Sequence, residues 1–179
     1  MNLTRLLTQC AVTLALGACI LAPTQAARGA TTPDEEARIV LLAATADQDP
    51  VAVMTSPDGR WFQQWADEAP DYSFGPDKGV FWVVSSGAAK GDFKRVLRFH
   101  HDLSAAAFQV QHHIGDPRKN DADMAAKTLA GIEGLLRAYE ALAATHPDVR
   151  TAQMDAALAA RNGGTLAAFV TALPPMPAR

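Results

Sequence analysis

Four of the five histidines of this 179-residue chain stand in two adjacent pairs, His100-His101 and His112-His113. Imidazole binds metals and moves protons near neutral pH, so this spacing is the first place to look for chemistry. A zinc or copper site wants three or four ligands converging on one point. If the stretch is helical, His101 and His112 share a face but lie about 16 Å apart at 1.5 Å per residue. If it is a hairpin turning at Asp102–Ala105, they lie about 20 Å apart at some 3.3 Å per residue. Within each pair the neighbours diverge, because side chains i and i+1 leave a strand or a helix in different directions. One site built from all four histidines is therefore excluded by either geometry. A metal would need His101 or His112 together with His146, or carboxylates such as Asp102 or Asp116.

The other candidate binding residues are Trp61 and Trp65, which with Phe62 could form an aromatic recognition patch or a piece of core. The bland reading of the histidines, as surface or cross-strand polar residues, stands beside the functional one. Catalytic signatures are absent from the sequence: no Gly-x-Ser-x-Gly, no His-Glu-x-x-His, no phosphate-binding glycine loop and no dinucleotide fingerprint. Ser85 and Ser86 follow an apolar run but lack the elbow that would make either one a nucleophile.

The elements that must hold these residues depend on how 91–115 is read. Leu97, Phe99 and His101 point one way in a strand, and Phe108-Gln109-Val110-Gln111-His112 alternates strictly. As a helix, Asp92 caps the start, Gly115 the end, and Pro117 lies just beyond. The helical arc would then place His100, Ser104 and Gln111 near its apolar centre, as a satisfied core network or a pocket lining. Ten of the twelve aromatic residues fall between Trp61 and Phe108, and Val80-Phe81-Trp82-Val83-Val84 reads as a central strand. Ser56-Pro57-Asp58-Gly59 reads as a hairpin turn, with a helix capped by Ser56 as the alternative. These signals lead us to expect an α+β fold: an antiparallel β-meander over about 51–114, packed by an N-terminal helix and C-terminal helices. A mostly α-helical single domain is the alternative.

The helices on either side carry clearer marks. Thr32, Pro33 and Glu35 begin one that runs to about Ala46. Asn120 or Asp121 opens a long one to Thr145, with Leu129, Ile132, Leu136 and Tyr139 on one face. Ala126, Ala130, Gly134 and Ala138 form a ridge of small residues on it, which allows a close neighbour. Shorter helices are expected from Asp148 through Met154 and Leu158 to a stop at Asn162-Gly163-Gly164, and from Leu166 to Leu173, the latter capped by Thr165.

Residues 1–26 have the Arg5 n-region, apolar run and small-residue end of a signal peptide. The alternative is lipidation of Cys19 in Leu16-Gly17-Ala18-Cys19. Removing 26 of 179 residues leaves 153, enough for a single globular domain over 27–173 with a disordered tail at 174–179. Only Arg5 is lost from the 16 basic residues, so the net charge moves from -3 to -4. That mild negative charge, with no basic stripe, argues against nucleic acid. Both cysteines, Cys10 and Cys19, lie in the leader, so the mature chain has no disulfide or thiolate site. No second apolar run is long enough to span a membrane. We expect an exported, periplasmic or secreted protein that binds another protein or a small ligand and does no catalysis. A histidine-dependent metal-binding protein and a small hydrolase with an unrecognised site are the alternatives.

Overall fold

A computed structural model describes residues 29–74 and 92–173. These residues form helices and connecting turns. The expected α+β meander is overturned: among them there is no strand, and the helical alternative is the one that fits. The Val80–Val84 strand, the leader with Cys19, and the 174–179 tail lie outside the described residues.

Helix α1 spans Pro33–Thr45. Thr32 and Glu35 form a full capping box, and Pro33 takes the first helical position, where its missing N–H costs nothing. Ile39 and Leu42 face the core. Helix α2, Pro50–Thr55, is capped by Asp49, whose side chain accepts the Ala52 N–H at 3.0 Å. Helix α3, Pro57–Glu68, follows at once. Ser56 ends α2 and caps α3, accepting the Gly59 N–H at 2.9 Å.

This corner explains why a β-turn was expected there. A Cβ on Gly59 would lie 2.1 Å from the Val53 carbonyl oxygen. Glycine is required because two helix ends meet closely, not because the backbone turns through a positive φ. Val51–Thr55, which the expected meander included, belongs to α2.

Helix α4, Asp92–Gln111, is the pivotal stretch, and it is one continuous helix. Alternation misled because the polar residues of the run are not all in water. Gln109 is fully buried and its Nε2 donates to the Ala105 carbonyl one turn back at 3.2 Å. Packed by α1, α2 and the long helix α5, Asp121–Thr145, α4 buries residues around most of its circumference. A helix buried that widely loses the single apolar stripe by which sequence recognises it.

Among the described helices, α4 and α5 make the most extensive contact. Their connection contains a short 3₁₀ turn, Pro117–Lys119, and Asn120 caps α5 by accepting the Ala122 N–H at 2.9 Å. After His146, a second 3₁₀ turn leads to α6, Ala152–Asn162, capped by Thr151, and α7, Leu166–Thr171. The start of α6 is later than expected because 147–149 form that turn. Thr165 does not cap α7 with its side chain; its hydroxyl donates back to the Ala160 carbonyl. Tyr139 ties α5 to α6, donating its hydroxyl to Asp155 at 2.8 Å and accepting the Thr151 N–H. One apolar cluster runs through these helices, with Phe62 edge-on to Phe99 at 5.6 Å and Trp65 fully buried beside them.

Candidate functional site

The two histidine pairs end in opposite surroundings. His100 is 2 % exposed and His101 is 5 % exposed. They sit in mid-α4 where α5 comes nearest, and the approach depends on two glycines. A Cβ on Gly131 would meet His101 Nε2 at 2.6 Å, and one on Gly134 would meet Ser104 Oγ at 1.8 Å. The expected ridge of small residues is thus real, but Gly131 joins Gly134 as the pair that matters.

His100 Nε2–H donates to the Pro50 carbonyl at 2.9 Å, fastening α4 to the first residue of α2. Burial pushes its pKa below the ordinary value, partly offset by that bond and by Asp47. His101 donates Nδ1–H to its neighbour Asp102 at 2.8 Å. A carboxylate that orients an imidazole resembles half of a catalytic triad. The other nitrogen, Nε2, is buried without a partner against α5, however, so no reactant reaches it. From α5, Arg137 donates Nε–H to Asp47 at 2.9 Å and lies 3.5 Å from Ser104 Oγ.

His112 and His113 are exposed at the carboxyl end of α4. His112 stacks on Phe108 with ring centres 4.2 Å apart. His113 takes φ 55°, the left-handed residue of a Schellman ending in which the Ile114 N–H reaches the Gln109 carbonyl at 2.9 Å. The metal candidates do not converge. His101 is inside, His112 is at the helix end, and His146 is exposed beside Phe93 and the Thr145 hydroxyl. Among the described residues, no three His, Cys, Asp or Glu side chains are grouped to hold an ion.

The tryptophans divide as well. Trp65 is core. Trp61 is half-buried beneath the Arg38 guanidinium, which stands 4.0 Å from its ring centre and is paired with Asp58. They do not form an exposed aromatic patch.

A surface feature escaped the sequence reading. On α1, Ala37, Leu41 and Ala44 lie on the side opposite Ile39 and Leu42, and Leu41 is 67 % exposed. Two open grooves flank that face and share Val40, Ala44 and Gln111. The first, about 330 Å³, lies between α1, α4 and α5, with Ala107 and Phe108 apolar and Ser104, Glu133 and Arg137 polar. The second, about 510 Å³, continues past Leu41 and Val110 to Glu36 and His113. Of the residues at the centre of the expected helical arc, His100 belongs to the buried network, and Ser104 and Gln111 line this groove. The signal was present: α1 is apolar on both sides from Ala37 to Ala46, whereas a surface helix is polar on one.

No protein-family model, curated protein or solved structure matches this chain. Among the described residues no helix is long and apolar enough to cross a membrane.

Proposed function

We propose that the chain is an exported, non-catalytic binding protein that receives a partner protein along α1. The observation that carries this reading is the apolar outer face of α1, with Leu41 exposed at the centre and the paired grooves on its flanks. Small ligands are held in concave sites that bury most of their surface. An open groove with an apolar middle and polar groups at both ends suits an amphipathic helix, read by anchors one turn apart. Glu133 and Arg137 at one end, with Glu36 and His113 at the other, set its register. Export is supported by the pattern of residues 1–26. The absence of catalysis is supported by the enclosure of His101 Nε2, the one histidine nitrogen oriented by a carboxylate.

The experiment is photo-cross-linking in the source cells, with the reactive residue at position 44 and a control at the exposed Ala156 of α6. A discrete adduct from 44 that is absent from 156 and lost in Leu41→Asp is expected. The same adducts from both positions, or an adduct indifferent to Leu41→Asp, overturn the reading. Leu41 is largely exposed, so the substitution leaves the fold intact.

A further inference from the structure

The α1 face is bordered by charges that do not cancel. Glu36 and His113 line one of its grooves, and Glu133 and Arg137 the other. Among the described residues of these linings, Arg137 is the only full cation, and it is engaged. Its Nε–H donates to Asp47 at 2.9 Å, so its charge is balanced from outside the grooves. Glu133 lies one turn before it on α5, half-buried. Among the described residues, no ion pair or hydrogen bond engages the Glu133 carboxylate. Glu36 accepts the Tyr72 hydroxyl at 2.8 Å. Burial, and then the bond to Glu36, push the Tyr72 pKa up, so this donor stays neutral and leaves the Glu36 charge in place. With His113 counted as neutral at pH 7, the rim keeps two carboxylate charges.

Charge then separates the possible occupants. A second copy would bring its own α1, whose first turn holds Asp34, Glu35 and Glu36 and whose last turn holds no base. Arg38 of that helix is turned to Asp58. Two copies meeting on this face would set carboxylates against carboxylates, which costs affinity. An anionic membrane surface meets the same opposition. A helix with lysine or arginine beside its apolar stripe meets none.

We propose that the occupant is a basic amphipathic helix of a different protein, with apolar anchors over Leu41 and lysine or arginine side chains against Glu133 and Glu36. This rests on the reading of α1 as a docking face and adds the partner's charge to it. The apolar face supplies contact area, while opposite charge at the border speeds encounter and rejects wrong partners.

The test uses two synthetic helices of about 18 residues, above the length at which isolated helices are marginal. Both carry the same leucine stripe; one has lysine at the flanking positions and its twin has glutamate. Fluorescence anisotropy reads their binding to the purified full chain. The lysine helix should bind at least about tenfold more tightly than its twin, by a margin that narrows as salt rises. Glu133→Gln should shrink that preference at least about threefold, and Glu133→Lys should abolish it. Glu36→Lys combined with Glu133→Lys should invert it. Asp148→Lys reverses charge at an exposed residue outside both grooves and should leave the preference in place. Circular dichroism checks that each variant is folded. Equal binding of the two helices, or an Asp148→Lys effect as large as that of Glu133→Lys, overturns the proposal. So does a dimer of the chain alone, seen by sedimentation, that Leu41→Ser dissolves. Leu41→Ser also separates the two levels of the argument. If both helices need Leu41 but neither responds to Glu133, only the partner's charge is refuted. If neither helix needs Leu41, docking along α1 is refuted with it.

Discussion

The two histidine pairs are the same dipeptide, one in the middle of α4 and one just past its last residue, yet they have nothing else in common. His100 and His101 are enclosed by α2 and α5; His112 and His113 end the helix in water. The difference comes from what stands opposite. Facing the first pair are Gly131 and Gly134, whose missing side chains leave room for an imidazole and a serine. α4 stops just before the second pair, and His113 takes the left-handed conformation that lets the chain turn. A histidine's role is thus assigned by residues some thirty positions away, and adjacency in sequence says little about shared function.

The sharpest way to break this contrast is to fill the seam. An alanine at Gly134 would drive a methyl group into Ser104 and to 2.7 Å from the His100 carbonyl oxygen, which is backbone and cannot swing aside. We expect Gly134→Ala to cost about 3 kcal/mol or more, against the roughly 1 kcal/mol gain the same change brings on an exposed helix. Urea unfolding measures the sign directly.

Next in size is His100→Ala. It removes a buried ring and leaves the Pro50 carbonyl without its donor, for a loss of about 2–4 kcal/mol. His112→Ala, measured in parallel, should change stability by less than about 0.5 kcal/mol.

The same pair should differ in acid. Unfolded, His100 takes up its proton near its ordinary value of 6.5; folded, burial holds it below that. Above 6.5 neither state binds the proton, and the full contribution of neutral His100 is present. As pH falls below 6.5 the unfolded chain gains a proton that the fold refuses, and stability drops until the folded ring titrates too. Unfolding curves from pH 7.5 to 5 should show this loss, and it should shrink in His100→Gln but persist in His112→Gln.

The smallest effect has the opposite sign. His113→Gly relieves a non-glycine residue of its positive φ and should stabilise by a few tenths to about 1 kcal/mol. A loss of stability there would show that the exposed ring makes a contact worth keeping.

Much of the helical frame was legible from residue types. The Thr32 capping box, the α5 face and the Asn162 stop each express local chemistry that tertiary structure had no reason to override. The pivotal stretch was not legible, because its deciding facts are contacts with distant residues. Gln109 is buried through a bond to its own helix, and His100 through a bond to α2. Polar residues carried inside a core break the hydrophobic period that either reading relies on. The Pro-Asp-Gly at 57–59 failed for a similar reason, since glycine serves tight helix packing as readily as it serves a turn. For the candidate site, spacing alone separated the two histidine pairs correctly. The outer face of α1 was missed because Ile39 and Leu42 mark an inner face, and no local signal says that Ala37, Leu41 and Ala44 stay uncovered.

The arrangement of α1 also bears on the order in which the chain acquires structure. Its inner face, Ile39 and Leu42, is covered mainly by α4, which begins more than forty residues later. The α4 seam in turn closes on Gly131 and Gly134. Synthesis proceeds from the amino terminus, so α1 is made well before the surfaces that shelter it. The first of the described helices is therefore among the last to have its inner face covered.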